Sequence, residues 1–138
     1  MELVRTGIIL NVEKFDECVA FYRSLFGLRT LFEKADGEFR LMCLEFGGSY
    51  LMIETGGVAV PAGKTPAENA AKLRFHVADI DAARKTLRSR GIVAEVTESA
   101  WGSTIDIHDP DGNRIGIRDD GTFARQVKSG RGNPPGAA

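Results

Sequence analysis

The chain carries one pattern of apolar and polar positions twice, at an offset of 65 residues from Gly7 to Lys72. In the first copy Thr6 to Val12 reads as a strand, and Glu13 to Phe26 sets Phe15, Cys18, Val19, Tyr22, Leu25 and Phe26 on one helical face. Gly27 follows as a left-handed cap. Leu28 to Glu33, Glu38 to Phe46 and Ser49 to Glu54 read as three more strands, with Gly47-Gly48 as a turn. The second copy repeats the order. Leu73 to Val77 is a strand, Asp79 an N-cap, the helix runs to Arg90 with Gly91 as its cap, and strands follow near Val93 to Val96, at Ser103 to Ile107 and at Asn113 to Arg118. Asp109-Pro110-Asp111-Gly112 joins the last two as a tight turn.

Each half is thus β-α-β-β-β, and two such modules need one another to complete a core. The expected organisation is a single domain of 1–138: a first module over 5–55, a linker over 56–71, a second module over 72–120 and a disordered tail over 121–138. The linker is rich in glycine, proline and alanine, with a helical turn near Pro66 to Ala71.

Strand side chains alternate between faces, so the repeat assigns a helix-covered face and an open one. In the second module the open face is polar and mostly cationic: Lys72, Arg74, His76, Thr104, Asp106, His108, Arg114, Gly116 and Arg118. In the first module it is mixed: Gly7, Ile9, Asn11, Arg40, Met42, Leu44, Tyr50, Met52 and Glu54. Apolar walls with a few polar groups suit a small-molecule pocket, and a solvated face or dimer contact is the plainer reading.

Composition narrows the partners. A formal net charge of -1 excludes a generally basic nucleic-acid binder. The two cysteines, Cys18 and Cys43, read as buried thiols in a reducing cytoplasm, and no segment has the pattern of a signal peptide or membrane span.

The run Phe21-Tyr22-Arg23-Ser24-Leu25-Phe26-Gly27-Leu28 after a strand, with Asp109-Pro110-Asp111-Gly112-Asn113-Arg114-Ile115 before the last one, resembles the vicinal oxygen chelate superfamily of glyoxalases, extradiol dioxygenases and bleomycin resistance proteins. The resemblance spans residues 5 to about 120. It implies an α+β fold, two βαβββ modules forming an incompletely closed eight-stranded mixed barrel with flanking helices, commonly as a homodimer. In metal-dependent relatives the ligands come from the first strand and the last strand of each module. Carried onto this chain, those positions are Gly7, Met52, Lys72 and Gly116. Glycine has no side chain, methionine is a soft thioether and lysine a cation, so none offers the donor such ions take.

Two functional readings follow. The first is a protein that binds a small anionic or aromatic molecule between the modules with no metal or other cofactor, through Asn11, Tyr50, Met52, Glu54, Lys72, Arg74, His76, Trp101, Asp106 and Arg118. The second is a lyase, isomerase or dioxygenase of the glyoxalase type, with a displaced divalent metal or with His76 as acid/base, oriented by Glu54 or Asp106. Arg118 or Lys72 would hold an anionic group of the ligand, Trp101 is either a stacking surface at the rim or a buried rim residue, and His108 is a surface turn residue.

Overall fold

Each half folds into a four-stranded mixed sheet with a helix following its first strand. The structure, a computed structural model, describes residues 1–130. The elements are β1 (Gly7–Val12), α1 (Phe15–Leu25), β2 (Thr30–Asp36), β3 (Phe39–Phe46), β4 (Ser49–Thr55), β5 (Leu73–Val77), α2 (Ile80–Ser89), β6 (Thr97–Ser99), β7 (Gly102–His108), β8 (Arg114–Asp119) and α3 (Asp120–Gly130). The strand orders are β1-β4-β3-β2 and β5-β8-β7-β6, so the first and last strands of each half run parallel side by side.

Local signals set the helices. Asp79 accepts from the backbone of Asp81 and Ala82 at the start of α2, and Gly91, at φ +79°, ends it while Ile92 N–H bonds Leu87 C=O at 2.9 Å. Gly27, at φ +65°, ends α1 in the same left-handed way. In the linker, Thr65 and Glu68 exchange side-chain to backbone hydrogen bonds of 2.9 and 3.3 Å, a capping box around one helical turn at Pro66.

The chain divides into two compact units whose boundary is not the sequence repeat. One contains Met1–Ala70 together with His108–Asn113, the other Ala71–Ile107 together with the described residues from Arg114 on. The core of the first is Leu10, Val12, Phe15, Cys18, Tyr22, Leu44, Leu51 and Ile53; that of the second is Leu73, Leu87, Ile105, Ile115 and Ile117.

Three expectations need correction. First, Met42 pairs with Ile53 and Cys43 with Met52, so Arg40, Met42 and Leu44 share the helix-side face, and Leu41, Cys43 and Glu45 lie on the open face. The Arg40 guanidinium lies 4.4 Å from the Phe15 ring centroid of α1, as that parity requires. Leu41-Met42-Cys43-Leu44 is apolar and buried throughout, so alternation gave no parity there. Second, Val93 to Val96 forms no strand; β6 is three residues long, Thr97–Ser99, and Val93 is exposed. Third, the segment expected to be disordered from residue 121 begins as a helix, α3. The rest of that expectation, 131–138, lies outside the described residues.

Candidate functional site

On the first sheet the parallel register sets Gly7 beside Tyr50, Ile9 beside Met52 and Asn11 beside Glu54, all on the open face. Gly7 is needed here: a β-carbon at this position would lie 2.2 Å from the Tyr50 ring, which rests on the glycine backbone. Beside the ring opens a cleft of about 520 Å³. Leu31, Phe32, Cys43, Tyr50 and Met52 supply its apolar and aromatic walls, and Arg5, Arg29, Glu45 and Ser49 its polar groups. Arg29 grips Glu45 through Nε and Nη2 at 2.9 and 2.8 Å, an exposed pair that a competing anion can reach. Asn11 and Glu54 are joined instead to each other, Nδ2 to Oε2 at 3.4 Å, and Asn11 also donates to the Thr55 carbonyl.

The second sheet sets Arg74 beside Gly116 and His76 beside Arg118. Lys72 pairs with Asp106 at 2.7 Å, and a β-carbon on Gly116 would sit 3.2 to 3.3 Å from the Lys72 and Arg74 side chains. His76 is oriented by neither Glu54 nor Asp106. Its Nδ1 lies 3.0 Å from Asp120 Oδ1, and the Phe123 ring meets its ring edge-on at 4.6 Å, both from α3. Arg118 donates to the Trp101 carbonyl, to Gln126 Oε1 at 3.0 Å and to Thr122 Oγ1 at 3.4 Å, with its guanidinium 5.2 Å from the Phe123 ring. Trp101 itself is 72% exposed at the turn between β6 and β7, not a buried rim residue. His108 is exposed and follows the first unit, its ring 3.5 Å from a β-carbon placed on Gly63.

The four positions that the resemblance marks for a metal therefore do not fit a divalent ion. Gly7 lies under a phenol ring, Met52 presents a thioether beside Cys43, the Lys72 ammonium is paired with a carboxylate, and Gly116 lies under two cations. Among the described residues no three His, Cys, Asp or Glu side chains converge as a ligand set.

Sequence reasoning missed two groups of residues. Arg5, Arg29, Leu31, Phe32, Cys43 and Glu45 line the first cleft; the inverted β3 parity hid Cys43 and Glu45. Asp120, the last residue read into the second module, and Phe123 and Gln126, from the segment read as tail, reach the second face. The spacing of Phe123 and Val127, four apart between Asp120 and Lys128, was the signal that a helical turn was present.

Asp119 joins β8 to α3. Its carboxylate accepts from the Thr122 N–H and Oγ1 and from the Ser103 N–H, at 2.9, 2.8 and 2.8 Å, and these bonds hold it down from 3.8 to about 2. A carboxylate held below its unfolded value stabilises the fold above that value and stops doing so as pH falls through its folded value. The start of α3 is accordingly expected to loosen as pH falls from near 4 toward 2. Amide exchange at Thr122 and Ser103 checks this: it should accelerate in that window in the wild type and show no such step in Asp119→Asn.

Below the first sheet, the Asp109-Pro110-Asp111-Gly112-Asn113 turn is buried rather than exposed, Asp109, Asp111 and Asn113 being at most 2% accessible. Asp111 accepts from the N–H groups of Glu13 and Lys14, at 3.1 and 2.8 Å through Oδ1, and so caps α1, whose own N-cap Lys14 offers no acceptor. Lys64 Nζ approaches its other oxygen at 3.4 Å and Asn113 Oδ1 at 3.0 Å. Asp109 takes the Tyr22 hydroxyl at 2.6 Å and three N–H donors of Asp111 and Asn113, each at 2.9 Å. Burial, and next the Asp109 charge, push the Tyr22 hydroxyl far above its ordinary value and the Cys18 thiol up to about 12. Cys18 is thus an inert core thiol.

No curated protein matches the sequence at a significant level. Solved structures do share the fold. Glyoxalase I of Leishmania major, a trypanothione-dependent enzyme, superimposes with a TM-score of 0.74 at 16% identity, over 93% of this chain and 94% of that one. The fosfomycin resistance protein FosX of Listeria monocytogenes, in complex with Mn(II) and sulfate, gives 0.69 at 16% identity, over 92% and 99%. TnmS3, an antibiotic binding protein from Streptomyces sp. CB03234, gives 0.62 at 21% identity, over 86% and 98%. The family model of the Glyoxalase/Bleomycin resistance protein/Dioxygenase superfamily matches residues 4–117, nearly the whole of both βαβββ units, and the chain belongs to that superfamily.

Proposed function

We propose that the chain binds a small anionic or aromatic molecule on the open face of its first sheet, without the divalent ion that its enzymatic relatives use. The observation that carries this reading is the Tyr50 ring resting on Gly7 beside the 520 Å³ cleft. A position that the family resemblance assigns to a ligand is filled by an aromatic surface. Phe32, Tyr50 and Met52 offer a planar ligand apolar contact, and Arg29 and Arg5, which line the same cleft, can take an anionic group, Arg29 in competition with Glu45. A fold neighbour described as an antibiotic binding protein supports a binding role for this scaffold. Assembly as a homodimer belongs to the same reading, and light scattering checks it.

The alternative, a displaced metal centre or a His76 acid/base, needs donors that converge. Asp106 is bonded to Lys72, and among the described residues the carboxylate that His76 meets is that of Asp120. Two donors fall short of the three protein ligands of a catalytic ion.

The test pairs metal analysis with calorimetry. Protein purified without chelator is expected to hold less than stoichiometric Zn, Ni, Mn or Fe, and titration with 4-hydroxybenzoate and larger aromatic acids is expected to show saturable binding. Tyr50→Ala should weaken that binding by about tenfold, the effect of one lost aromatic contact. A stoichiometric ion that disappears in His76→Ala would overturn the proposal, as would binding indifferent to both Tyr50→Ala and Arg29→Ala.

A further inference from the structure

The open face of the second sheet has an occupant, and it is part of this chain. None of the residues of α3 is buried; Phe123 and Val127, its two large apolar side chains, each remain 40% exposed. A helix that buries so little gains little from the hydrophobic effect, so its placement rests on particular contacts. Beside the bonds of Thr122 to Asp119 and of Gln126 Nε2 to the Trp101 carbonyl, those contacts converge on His76 and Arg118, register partners on β5 and β8.

The helix offers that pair three kinds of group. The Asp120 carboxylate meets His76 Nδ1 at 3.0 Å. The Phe123 ring meets the imidazole edge-on at 4.6 Å and the Arg118 guanidinium at 5.2 Å. The Gln126 amide oxygen accepts from Arg118 at 3.0 Å. A carboxylate, an aromatic ring and a carbonyl-type oxygen are the groups an aromatic acid would bring. Lys72 and Arg74 extend the same face with positive charge, and Asp106 pairs with Lys72.

We propose that the His76–Arg118 pair is a second binding site, for an aromatic carboxylate, and that α3 occupies it as an internal ligand that must leave before an external one enters. The site uses none of the residues of the first-sheet cleft and stands independently of the function proposed for it. Its regulation follows from population arithmetic. Apparent affinity is the intrinsic affinity reduced by the fraction of molecules with α3 undocked, so weakening the helix tightens binding.

The experiment uses the full chain and 2-naphthoate as probe. Trp101 is the only tryptophan, and its carbonyl accepts from Arg118 and from Gln126 at 3.1 Å, so its fluorescence reports this face. The wild type is expected to bind weakly, and the double variant Phe123→Ala with Gln126→Ala at least tenfold more tightly. Adding Arg118→Gln should abolish the gain, and the neutral analogue 2-naphthalenemethanol should bind no variant comparably. In the wild type, saturating 2-naphthoate should speed amide exchange across α3 and leave β1 to β4 unchanged. Equal affinity in wild type and double variant, equal binding of acid and alcohol, or α3 exchange that slows or does not change would each overturn the proposal. Binding abolished by Tyr50→Ala and indifferent to Arg118→Gln would also overturn it, and would assign the probe to the first sheet instead. Where Arg118→Gln disturbs the β6–β7 turn, the wild-type exchange experiment decides alone.

Discussion

Asp111→Ala is expected to lower the free energy of unfolding by about 3–5 kcal/mol, the scale of removing one partner from a buried ion pair. The carboxylate is fully inaccessible and the Lys64 side chain only 8% accessible, so no water replaces the lost acceptor. Truncation strands the ammonium with Asn113 Oδ1 alone and leaves the N–H groups of Glu13 and Lys14 without a cap at the positive end of α1. Asp111→Asn keeps one acceptor for the helix and should fall between wild type and alanine. Adding Lys64→Met to Asp111→Ala removes the stranded charge and should recover part of the loss. Urea unfolding of the four proteins measures this. A loss below about 1 kcal/mol in Asp111→Ala, the level of an exposed pair, would show that the buried cap does not hold the fold.

Gly112→Ala is the second large effect, about 3 kcal/mol, because two penalties coincide. The residue sits at φ +91°, and a β-carbon there would lie 2.0 Å from the Val60 carbonyl oxygen. Neither can relax alone. Val60 N–H bonds the Asp111 carbonyl at 2.9 Å and Lys64 N–H bonds the Gly112 carbonyl at 2.8 Å, so the linker is stitched to the turn on both sides of the clash. Gly91→Ala is the internal control, with φ +79° and open space around the added carbon. It should show the backbone penalty alone, about 1–2 kcal/mol. Thermal unfolding of the two variants separates the terms: equal losses would mean that the linker yields to the methyl group without resistance.

How far the sequence disclosed this molecule depends on the range of the interaction that fixed each part. Both helix caps and the repeated strand pattern were legible, since Asp79, Gly27 and Gly91 act within a few residues and the pattern recurs in two copies. The family resemblance then supplied the module topology. The parity of β3 was not legible, because Leu41-Met42-Cys43-Leu44 is apolar on both faces and only pairing with β4 decides it. The role of the Asp109–Asn113 turn was invisible for another reason. It reads locally as a hairpin turn, which it is, while Asp111 bonds Glu13 98 residues earlier and Asp109 bonds Tyr22 87 residues earlier. The site divides similarly. Tyr50 and Met52 were named from alternation and do line the cleft, whereas α3, polar and without a buried face, gave no periodic stripe strong enough to bring Asp120 and Phe123 to His76.

The membership of His108–Asn113 in the first unit bears on how the chain acquires its structure during synthesis. A ribosome that has released residues 1–70 has delivered every strand of the first sheet and its helix, yet the acid that caps the helix and the partner of the Tyr22 hydroxyl are still about forty residues from being made. The N-terminal repeat completes its set of contacts only through a long-range closure, which raises contact order. The last contacts of the first half thus come from a segment made with the second, so the two repeats, alike in pattern, are not alike in what each needs from the other.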